Sequence, residues 1–300
     1  MFRIKQCQCE KTKHNAIEIS NSETNTFAKI NLRQGARLQE LIIGSHHIIN
    51  EMKDLEYSST YASSILFPFA NRIKDGSYAF QNNNYQFPIN ETELNNALHG
   101  LVFNKEFEVL HRETKVDYAS IVLFYKETKH SVGFPYTFNI QLTYRLTESV
   151  LTLTADITNT DSKIFPFTVG WHPYFKSSDR YNSSVIFDSN KKLKLDDRCI
   201  TAGEEIDENF GLVTVKNQEL DDCYILKSNL IKFKTPKYIL ELISSEKKSF
   251  LQLYTPPNPY MLAIEPTTGV SDSFNNGMGL KTLKPQETYQ IEWFLNIKNN

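Results

Sequence analysis

The chain has 300 residues, 40% of them hydrophobic, with a formal net charge of −2 at pH 7 and a pI near 6.4. This balance provides no basic surface for nucleic acid or an anionic membrane, and it favours a small neutral or weakly charged ligand. The amino-terminal segment lacks an apolar run long enough for a signal peptide, and no later stretch approaches a membrane span. We therefore expect a cytoplasmic protein, and without a visible linker a single domain over 1–300.

The four cysteines show no metal-binding pattern. Cys7 and Cys9 are close neighbours, Cys199 and Cys223 are isolated, and no CxxC or Cys/His ligand spacing occurs. We therefore expect free thiols and no structural zinc site.

Alternating apolar and polar residues dominate the chain and predict β-strands. The clearest pair alternates over 138–146 and 151–157, with turn residues at 147–149, and predicts a hairpin. Shorter runs of the same kind lie at 16–19, 27–32, 38–43, 119–124, 230–233, 238–243, 250–254 and 289–297. Convincing helical stripes and glycine-rich βα turns are both missing, which disfavours a nucleotide-binding α/β fold. We predict an all-β protein, a large antiparallel β-sandwich of two facing sheets with few short helices.

Three long segments, 67–107, 169–209 and 254–279, interrupt this strand pattern. They are rich in aromatic and hydrogen-bonding side chains. Segments of this length inside a compact domain are usually functional or disordered, and this composition favours function.

The segment 170–175, GWHPYF, places one histidine among aromatic residues. Aromatic residues also precede it at 165–167, so we expect the ring of His172 to lie in a mostly aromatic wall. An imidazole with a pKa of about 6.5 can give or take a proton near neutral pH, and an apolar wall tunes it further. The alternative is a core histidine whose hydrogen bonds are satisfied.

The first long segment contains NRI at 71–73 and LHG at 98–100. Arg72 offers a planar fork of donors that can hold two oxygens, and His99 offers a further donor or acceptor. A surface ion pair for Arg72 and an ordinary loop position for His99 are the alternatives.

Glu265 follows an apolar strand and directly precedes Pro266. The proline is expected to end the ladder and to leave the carboxylate aimed off the sheet edge. A solvated glutamate is the alternative. Asp221, in the pair 221–222, and Gln252 are side chains of the kind that fix hydroxyl groups, although paired acids in loops are often only solvated.

Taken together, these residues have the composition of a sugar site. Hydroxyl groups need paired donors and acceptors, whereas the C–H faces of a sugar ring pack on aromatic side chains. The polar members are Arg72, His99, His172, Asp221, Gln252 and Glu265, and the aromatic members are Trp171, Tyr174, Phe175 and Tyr254. One histidine and one glutamate then remain for acid and base chemistry.

Six motifs, in this order, resemble signature positions of the aldose 1-epimerase (galactose mutarotase) family. They are NRI at 71–73, LHG at 98–100, GWHPYF at 170–175, DDCY at 221–224, LQLYT at 251–255 and IEPTTG at 264–269. The resemblance extends from Gly35 through Trp293. Each motif alone is weak, but six in order are specific.

The resemblance implies a β-sandwich with an open sugar cleft, working without metal or organic cofactor. By position, His172 is similar to the general acid and Glu265 to the general base, facing each other across one pyranose. His99 and Arg72 would bind oxygens and stabilise developing charge. Asp221 and Gln252 would hold hydroxyls, Asn71 would support Arg72, and the neighbouring Trp171 and Tyr174 would supply aromatic contacts.

The protonation states follow from ordinary pKa values. Glutamate is ionised at neutral pH, whereas His172 must carry a proton to act as the acid. We therefore predict that a carboxylate on the substrate side of His172 keeps the ring cationic against its apolar wall.

The chain also departs from the familiar galactose-active members. They read more like NHSYFNL around the acid, where this chain has WHPYFK, and they have GG after the first histidine, where Leu101 follows Gly100. Both differences resemble a divergent bacterial branch in which close relatives act on hexose 6-phosphates. Arg72 and Lys74 could hold a phosphate, but no arginine cluster demands one, and a neutral aldose is preferred.

Two alternatives from other classes stay open. One is a non-catalytic carbohydrate-binding protein on the same sandwich, which would not need both His172 and Glu265. The other is a zinc site built from His99, His172 and Glu265, which is a chemically acceptable ligand set. As partners we expect a small-molecule sugar and neither nucleic acid nor membrane, with the protein a monomer or a weak homodimer.

Overall fold

Strands with one buried and one half-exposed face make up most of the structure, as the period-two sequence predicts. The computed structural model describes residues 1–9, 14–52, 54–216 and 218–300, with no side chain described for Cys9 or His14. The predicted hairpin is confirmed: Phe138–Thr147 pairs with Val150–Asn159, and buried positions alternate along both strands. Cys7, Cys199 and Cys223 are free thiols, and the side chain of Cys9 lies outside the described part.

The first third of the chain contains ten strands and a short helix. They are β1 (Arg3–Cys9), β2 (His14–Asn21), β3 (Thr26–Asn31), β4 (Arg37–Ile43), β5 (His46–Ile49), α1 (Tyr57–Thr60), β6 (Ile65–Leu66), β7 (Arg72–Lys74), β8 (Ser77–Phe80), β9 (Asn83–Gln86) and β10 (Asn96–Leu98). Four of the strands after α1 lie in the long segment at 67–107, where we expected no regular structure.

The remaining elements continue in chain order. They are β11 (Glu108–Thr114), β12 (Tyr118–Glu127), β13 (Phe138–Thr147), β14 (Val150–Asn159), β15 (Phe165–Phe167), β16 (Gly170–Trp171), β17 (Tyr174–Lys176), β18 (Ser184–Phe187), β19 (Lys191–Leu195), β20 (Thr201–Ile206), β21 (Leu212–Thr214), β22 (Asp221–Ile225), β23 (Leu230–Lys234), β24 (Tyr238–Ser244), β25 (Phe250–Tyr254), β26 (Met261–Thr267), α2 (Ser273–Asn276), β27 (Lys281–Leu283) and β28 (Thr288–Asn299).

Three large antiparallel sheets organise these strands. One contains β1 to β5 in chain order, and a nine-stranded sheet runs β11-β12-β13-β14-β28-β24-β23-β18-β21. The third runs β20-β19-β22-β25-β26-β16-β6, with β17 also pairing with β26. The all-β antiparallel prediction is confirmed, and the five-stranded sheet adds to the two sheets that we expected.

One continuous buried core joins the three sheets. Ile30 of the five-stranded sheet, Leu142 and Trp293 of the nine-stranded sheet, and Leu251 and Ile264 of the third sheet all belong to it. Burial of this apolar surface is the main favourable term in folding. Within the described residues, no helix is long and apolar enough to cross a bilayer.

Candidate active site

A polar cleft of about 190 Å³ lies over the third sheet, beside α1 and the β7–β10 ribbon. Every residue that we predicted for the site lines this cleft except Trp171 and Phe175, which are both fully buried. The lining residues are Ser59, Thr60, Tyr61, Asn71, Arg72, Glu91, Leu98, His99, His172, Tyr174, Asp221, Gln252, Tyr254 and Glu265. Residues as far apart in the sequence as Ser59 and Glu265 therefore meet in one place.

Adjacent strands of the third sheet place the floor of the cleft. Gln252 on β25 lies directly opposite Glu265 on β26, and Tyr254 lies opposite Asp221 on β22. The side-chain amide of Gln252 donates a hydrogen bond to Asp221 Oδ1 at 2.6 Å. Since alternate residues of a strand share one face, Gln252 and Tyr254 both point to the cleft side.

Glu265 lies inside its strand, so the prediction that Pro266 ends the ladder is wrong. β26 continues to Thr267, with Pro266 opposite Leu251. Ile264 N donates to the Pro173 carbonyl on the other side of β26, and by the alternation of a strand Pro266 faces that same side. On that side, the segment between β16 and β17 does not pair with β26. The proline, which has no N–H, therefore breaks no hydrogen bond of the ladder.

His172 lies between β16 and β17 and is fixed by its own backbone. Its carbonyl accepts a hydrogen bond from Ser63 N at 2.8 Å, and its N–H donates to the Ser64 carbonyl at 3.1 Å. Its ring stacks on Tyr174 with centroids 5.1 Å apart and meets the edge of His99 at 5.0 Å. Tyr174 thus packs against the ring of His172 and also lines the cleft.

Fewer aromatic residues surround the ring of His172 than we predicted. Phe165 and Phe167 pack against Phe67 in the core. Trp171 is fully buried and contacts Trp293, because successive residues of the strand face opposite sides of the sheet. The predicted sugar contact of Trp171 is therefore withdrawn.

His172 and Glu265 form a buried pair in which Nε2 lies 3.3 Å from Oε1. Both side chains are almost fully buried, at 5% and 4% exposure. Burial lowers the pKa of His172 to about 4. Burial, and then the negative charge of Asp221, raises the pKa of Glu265 well above its usual value, although Arg72 opposes this.

The predicted carboxylate beside His172 is therefore present, but the prediction that it keeps the ring cationic is wrong. Burial penalises each charge. Burial therefore favours a neutral His172, whose pKa it lowers, and a protonated Glu265, whose pKa it raises. The two groups also lie side by side, whereas we expected them to face each other across a ring.

Arg72 is held in place mainly by Glu91. Its Nε lies 3.1 and 2.9 Å from the two carboxylate oxygens, and its Nη2 lies 2.9 Å from Oε1. Nη1 donates to Asn71 Oδ1 at 3.2 Å, so the predicted support from Asn71 is present. Asn71 in turn donates to Gln252 Oε1 at 3.3 Å, which links Arg72 to the floor of the cleft.

His99 stands at the end of the β7–β10 ribbon. Its N–H donates to the Asn71 carbonyl at 2.9 Å, and both residues adopt left-handed backbone with φ of 61°. Burial lowers the pKa of His99 well below its usual value, and His172, when it is protonated, and the positive charge of Arg72 lower it further. Nδ1 of His99 and Nδ1 of His172 have no hydrogen-bond partner in the described part of the chain.

Sequence reasoning missed Glu91 and the α1 region. Glu91 lies in the polar run NETELNN, where its spacing gives no sign of a partner. Tyr61 packs its ring edge on His99 at 4.8 Å, but the four-residue helix before it is too short to show a periodic pattern. Only the folded chain brings these groups to Arg72 and His99.

The arrangement combines an acid–base pair with a polar rim. Hydroxyl groups of a ligand could bind Asp221, Gln252 and Arg72 while the pair exchanges a proton. The proposed zinc site receives no support, because no group of three or more His, Cys, Asp or Glu side chains among the described residues is placed to hold a metal ion.

Comparison with known proteins agrees with this fold. A galactose mutarotase-like protein from Clostridium acetobutylicum matches with a TM-score of 0.87 and 24% identity, covering 100% of this chain and 99% of that one. Galactose 1-epimerase from Lactobacillus acidophilus matches with a TM-score of 0.84 and 15% identity, covering 100% and 99%. The fold is thus that of the galactose mutarotase-like β-sandwiches.

The family follows from the sequence itself. The model of the aldose 1-epimerase family matches residues 15–294. The uncharacterised protein YihR of Escherichia coli K12 is 24% identical over 275 residues, which cover 88% of this chain and 87% of YihR. The chain belongs to the aldose 1-epimerase family.

Proposed function

We propose that the protein is an aldose 1-epimerase, an isomerase that interconverts the α and β anomers of a free hexose by acid–base ring opening and reclosure. The observation that supports this most is the 3.3 Å pair of His172 and Glu265 in a cleft of hydroxyl-binding groups. The C1 hydroxyl oxygen and the ring oxygen of a pyranose are both bonded to C1. An acid and a base lying side by side can therefore reach both oxygens at once.

The reaction needs one proton on the pair. Glu265 takes the proton of the C1 hydroxyl while His172 protonates the ring oxygen, and the bond between C1 and the ring oxygen breaks. The resulting aldehyde turns about the C1–C2 bond. His172 then takes back the proton from the hydroxyl that formed from the ring oxygen, and this oxygen attacks C1. Glu265 returns its proton to the aldehyde oxygen, which becomes the C1 hydroxyl of the other anomer. Each positioned transfer contributes about 10² to 10⁴ in rate.

Burial favours the proton distribution that the pair has after ring opening. In that state His172 is neutral and Glu265 is protonated, the forms that burial favours because it lowers the pKa of His172 and raises that of Glu265. The reaction of a closed ring requires the proton on His172 instead. A hydroxyl that donates to Glu265 and a ring oxygen that accepts from His172 stabilise this charged form, because hydrogen bonds to a charged group favour it.

The remaining groups bind and orient the sugar. Asp221, Gln252 and Arg72 hold hydroxyl groups, and the neutral ring of His99 offers a further hydrogen bond beside His172. The charges favour a neutral sugar over a hexose 6-phosphate. The carboxylates of Glu91 and Asp221 line the cleft, Arg72 is already bound by Glu91, and Lys74 is exposed and outside the lining.

Polarimetry on freshly dissolved α-glucose, α-galactose and α-glucose 6-phosphate tests this proposal. We expect the protein to accelerate mutarotation of a neutral hexose more than that of the phosphate. Sugar binding without acceleration would favour the non-catalytic carbohydrate-binding protein. A clear preference for the phosphate would replace the substrate by a hexose 6-phosphate while leaving the chemistry of the pair unchanged.

A further inference from the structure

The turn between β19 and β20, residues 196–200, is connected to the site although it supplies none of the residues that line the cleft. Asp196 orders this turn, because its Oδ1 accepts hydrogen bonds from the backbone N–H groups of Arg198 and Ile200, each at 2.9 Å. The side chain of Arg198 therefore extends from a backbone that is already fixed.

Arg198 binds the segment at the start of β10. Its Nε donates to the Leu94 carbonyl at 2.8 Å, and its Nη2 lies 2.7 Å from the Asn95 carbonyl oxygen and 3.2 Å from Asn96 Oδ1. Nη2 also lies 2.9 Å from Asp75 Oδ1. One guanidinium, on a side chain that is 27% exposed, thus bonds three consecutive residues of this segment.

Asn96 connects Arg198 to Glu91. It is fully buried, and its Nδ2 donates to Glu91 Oε2 at 2.8 Å and to the Arg198 carbonyl at 3.1 Å. The backbones of Asn96 and Glu91 also exchange two hydrogen bonds, each at 3.1 Å. Since Arg198 bonds the oxygen of the amide, it fixes the orientation in which the amide nitrogen faces Glu91.

Glu91 in turn holds the guanidinium of Arg72 in the cleft. Both carboxylate oxygens of Glu91 accept hydrogen bonds from Arg72. The chain of hydrogen bonds therefore runs from Arg198 through Asn96 and Glu91 to Arg72. It begins outside the cleft and ends on a group that lines it.

A second route joins the same turn to the backbone of Arg72. Ser271 Oγ donates to the Cys199 carbonyl at 2.8 Å, and the N–H of the next residue, Asp272, donates to the Arg72 carbonyl at 2.6 Å. Asp272 Oδ1 also accepts a hydrogen bond from Lys74 N at 3.0 Å. The turn is thus linked to Arg72 through both its side chain and its backbone.

We propose that Arg198 is a positioning residue for Arg72, which it orients through Asn96 and Glu91 for binding sugar hydroxyls. A donor that is oriented in advance binds a hydroxyl group without the entropy cost of ordering it. The alternative is that Arg198 only stabilises the fold. The effect on turnover rests on the proposed epimerase function, whereas the effect on the position of Arg72 does not.

Arg198→Met tests the proposal. It keeps an unbranched side chain and removes all four contacts of the guanidinium, and because the position is partly exposed we expect the variant to fold. Arg112→Met is the matched control. It removes an exposed arginine of β11 that donates to Gln6 Oε1 and lies outside the cleft lining.

The Nε–H of Arg72 reports the position of its guanidinium without any sugar. Nitrogen-15 NMR detects this group, and the loss of its signal in Arg72→Lys identifies it. In Arg198→Met we expect the signal to shift and its proton to exchange with water about tenfold faster, because the hydrogen bonds to Glu91 loosen. Arg112→Met should leave the signal unchanged.

A double-mutant cycle separates positioning from stability. NMR titration gives the Kd for glucose, and polarimetry gives kcat/KM. Arg198→Met should weaken both about three- to thirtyfold in the wild-type protein, the usual size of coupling within one hydrogen-bond network. In the background of Arg72→Ala it should change neither, because no guanidinium is left to orient. Its effect on the free energy of unfolding, measured in urea, provides the comparison.

Three results would overturn the positioning role of Arg198. The Arg72 signal could be unchanged in folded Arg198→Met. The Kd for glucose could be unchanged while the free energy of unfolding falls. Arg198→Met could weaken glucose binding equally with and without Arg72. Failure of the epimerase proposal differs from all three: neither the wild-type protein nor any variant would accelerate mutarotation, yet the Arg72 signal would still respond to Arg198→Met.

Discussion

At the scale of single residues, the proposed chemistry depends on where one proton resides. The sequence points to His172 through its aromatic neighbours and to Glu265 through its place after an apolar strand. It does not predict their pKa values, because the burial that shifts them depends on residues far away in the sequence, such as His99, whose ring meets that of His172, and Tyr61, which packs on His99. The prediction of a cationic His172 therefore identified a carboxylate neighbour correctly, but it underestimated how far burial lowers the pKa of the ring.

The titration of His172 tests this balance directly. Since burial lowers its pKa to about 4, the ring should be neutral at pH 7 and become protonated only as the pH falls toward 4. Nitrogen-15 NMR of labelled histidine follows this change, with His172→Gln identifying the signal. A ring that is cationic at pH 6 in the sugar-free protein would contradict the account.

Arg72 offers a second test, because its planar guanidinium group bonds both carboxylate oxygens of Glu91. A lysine in its place is a point charge and cannot bond both oxygens of Glu91 and also reach Asn71. Hydrogen bonds to charged groups contribute about 1.5–3 kcal/mol, so Arg72→Lys should lower kcat/KM about ten- to a hundredfold. Polarimetry with Arg145→Lys, an arginine outside the cleft that lies over the ring of Tyr118, provides the control. Equal activity of both variants would remove Arg72 from the site.

At the scale of elements, the sequence predicts long strands well and short ones poorly. The β13–β14 hairpin shows five or more alternations and is confirmed. Strands such as β7, β10 and β16 have two or three residues, too few for any period to appear. These strands form by pairing with distant parts of the chain. β7 carries Arg72, β10 ends just before His99, and β16 ends just before His172. The short strands that are hardest to predict therefore place three of the residues that line the cleft.

The close approach at Gly100 shows how tightly such an element is placed. Gly100 has φ of +73°, and an added Cβ would lie 2.3 Å from the Phe67 carbonyl oxygen. Gly100→Ala should unfold the protein more easily and lower activity, because the adjacent His99 must move. Gly44→Ala is the control, with φ of +61° and nothing within 4 Å of the added Cβ.

The difference between the two glycine variants isolates the clash from the backbone strain that they share. Left-handed backbone costs about 1–2 kcal/mol in both variants. The clash should cost Gly100→Ala about 1–3 kcal/mol more, measured by urea unfolding. Equal free energies of unfolding would show that the turn at Gly100 adapts without penalty.

At the scale of the whole molecule, three sheets depend on a shared core. The sequence predicts a sandwich of two sheets but not the additional five-stranded sheet, because period-two strands do not reveal which sheet they join. Tyr144 on β13 is fully buried and donates a hydrogen bond to the Ala36 carbonyl, just before β4, at 2.8 Å. This contact joins the nine-stranded sheet to the five-stranded one.

Tyr144→Phe should therefore destabilise the protein without changing its activity. The Ala36 carbonyl loses a buried donor, which costs about 1–3 kcal/mol. Tyr118→Phe loses a bond to the partly exposed Glu113 and should cost less. Urea unfolding and polarimetry together separate stability from function. A loss of activity in folded Tyr144→Phe would show that the sheets affect the cleft directly.

The most direct measurement of the central claim is anomer exchange of glucose catalysed by Glu265→Gln, followed by polarimetry. The amide has the same size as the carboxylate but cannot take a proton from the C1 hydroxyl. We predict that exchange falls by about 10² to 10⁴ while the affinity for glucose stays within about tenfold. Exchange at close to the wild-type rate in this variant would show that the pair of His172 and Glu265 does not carry the reaction.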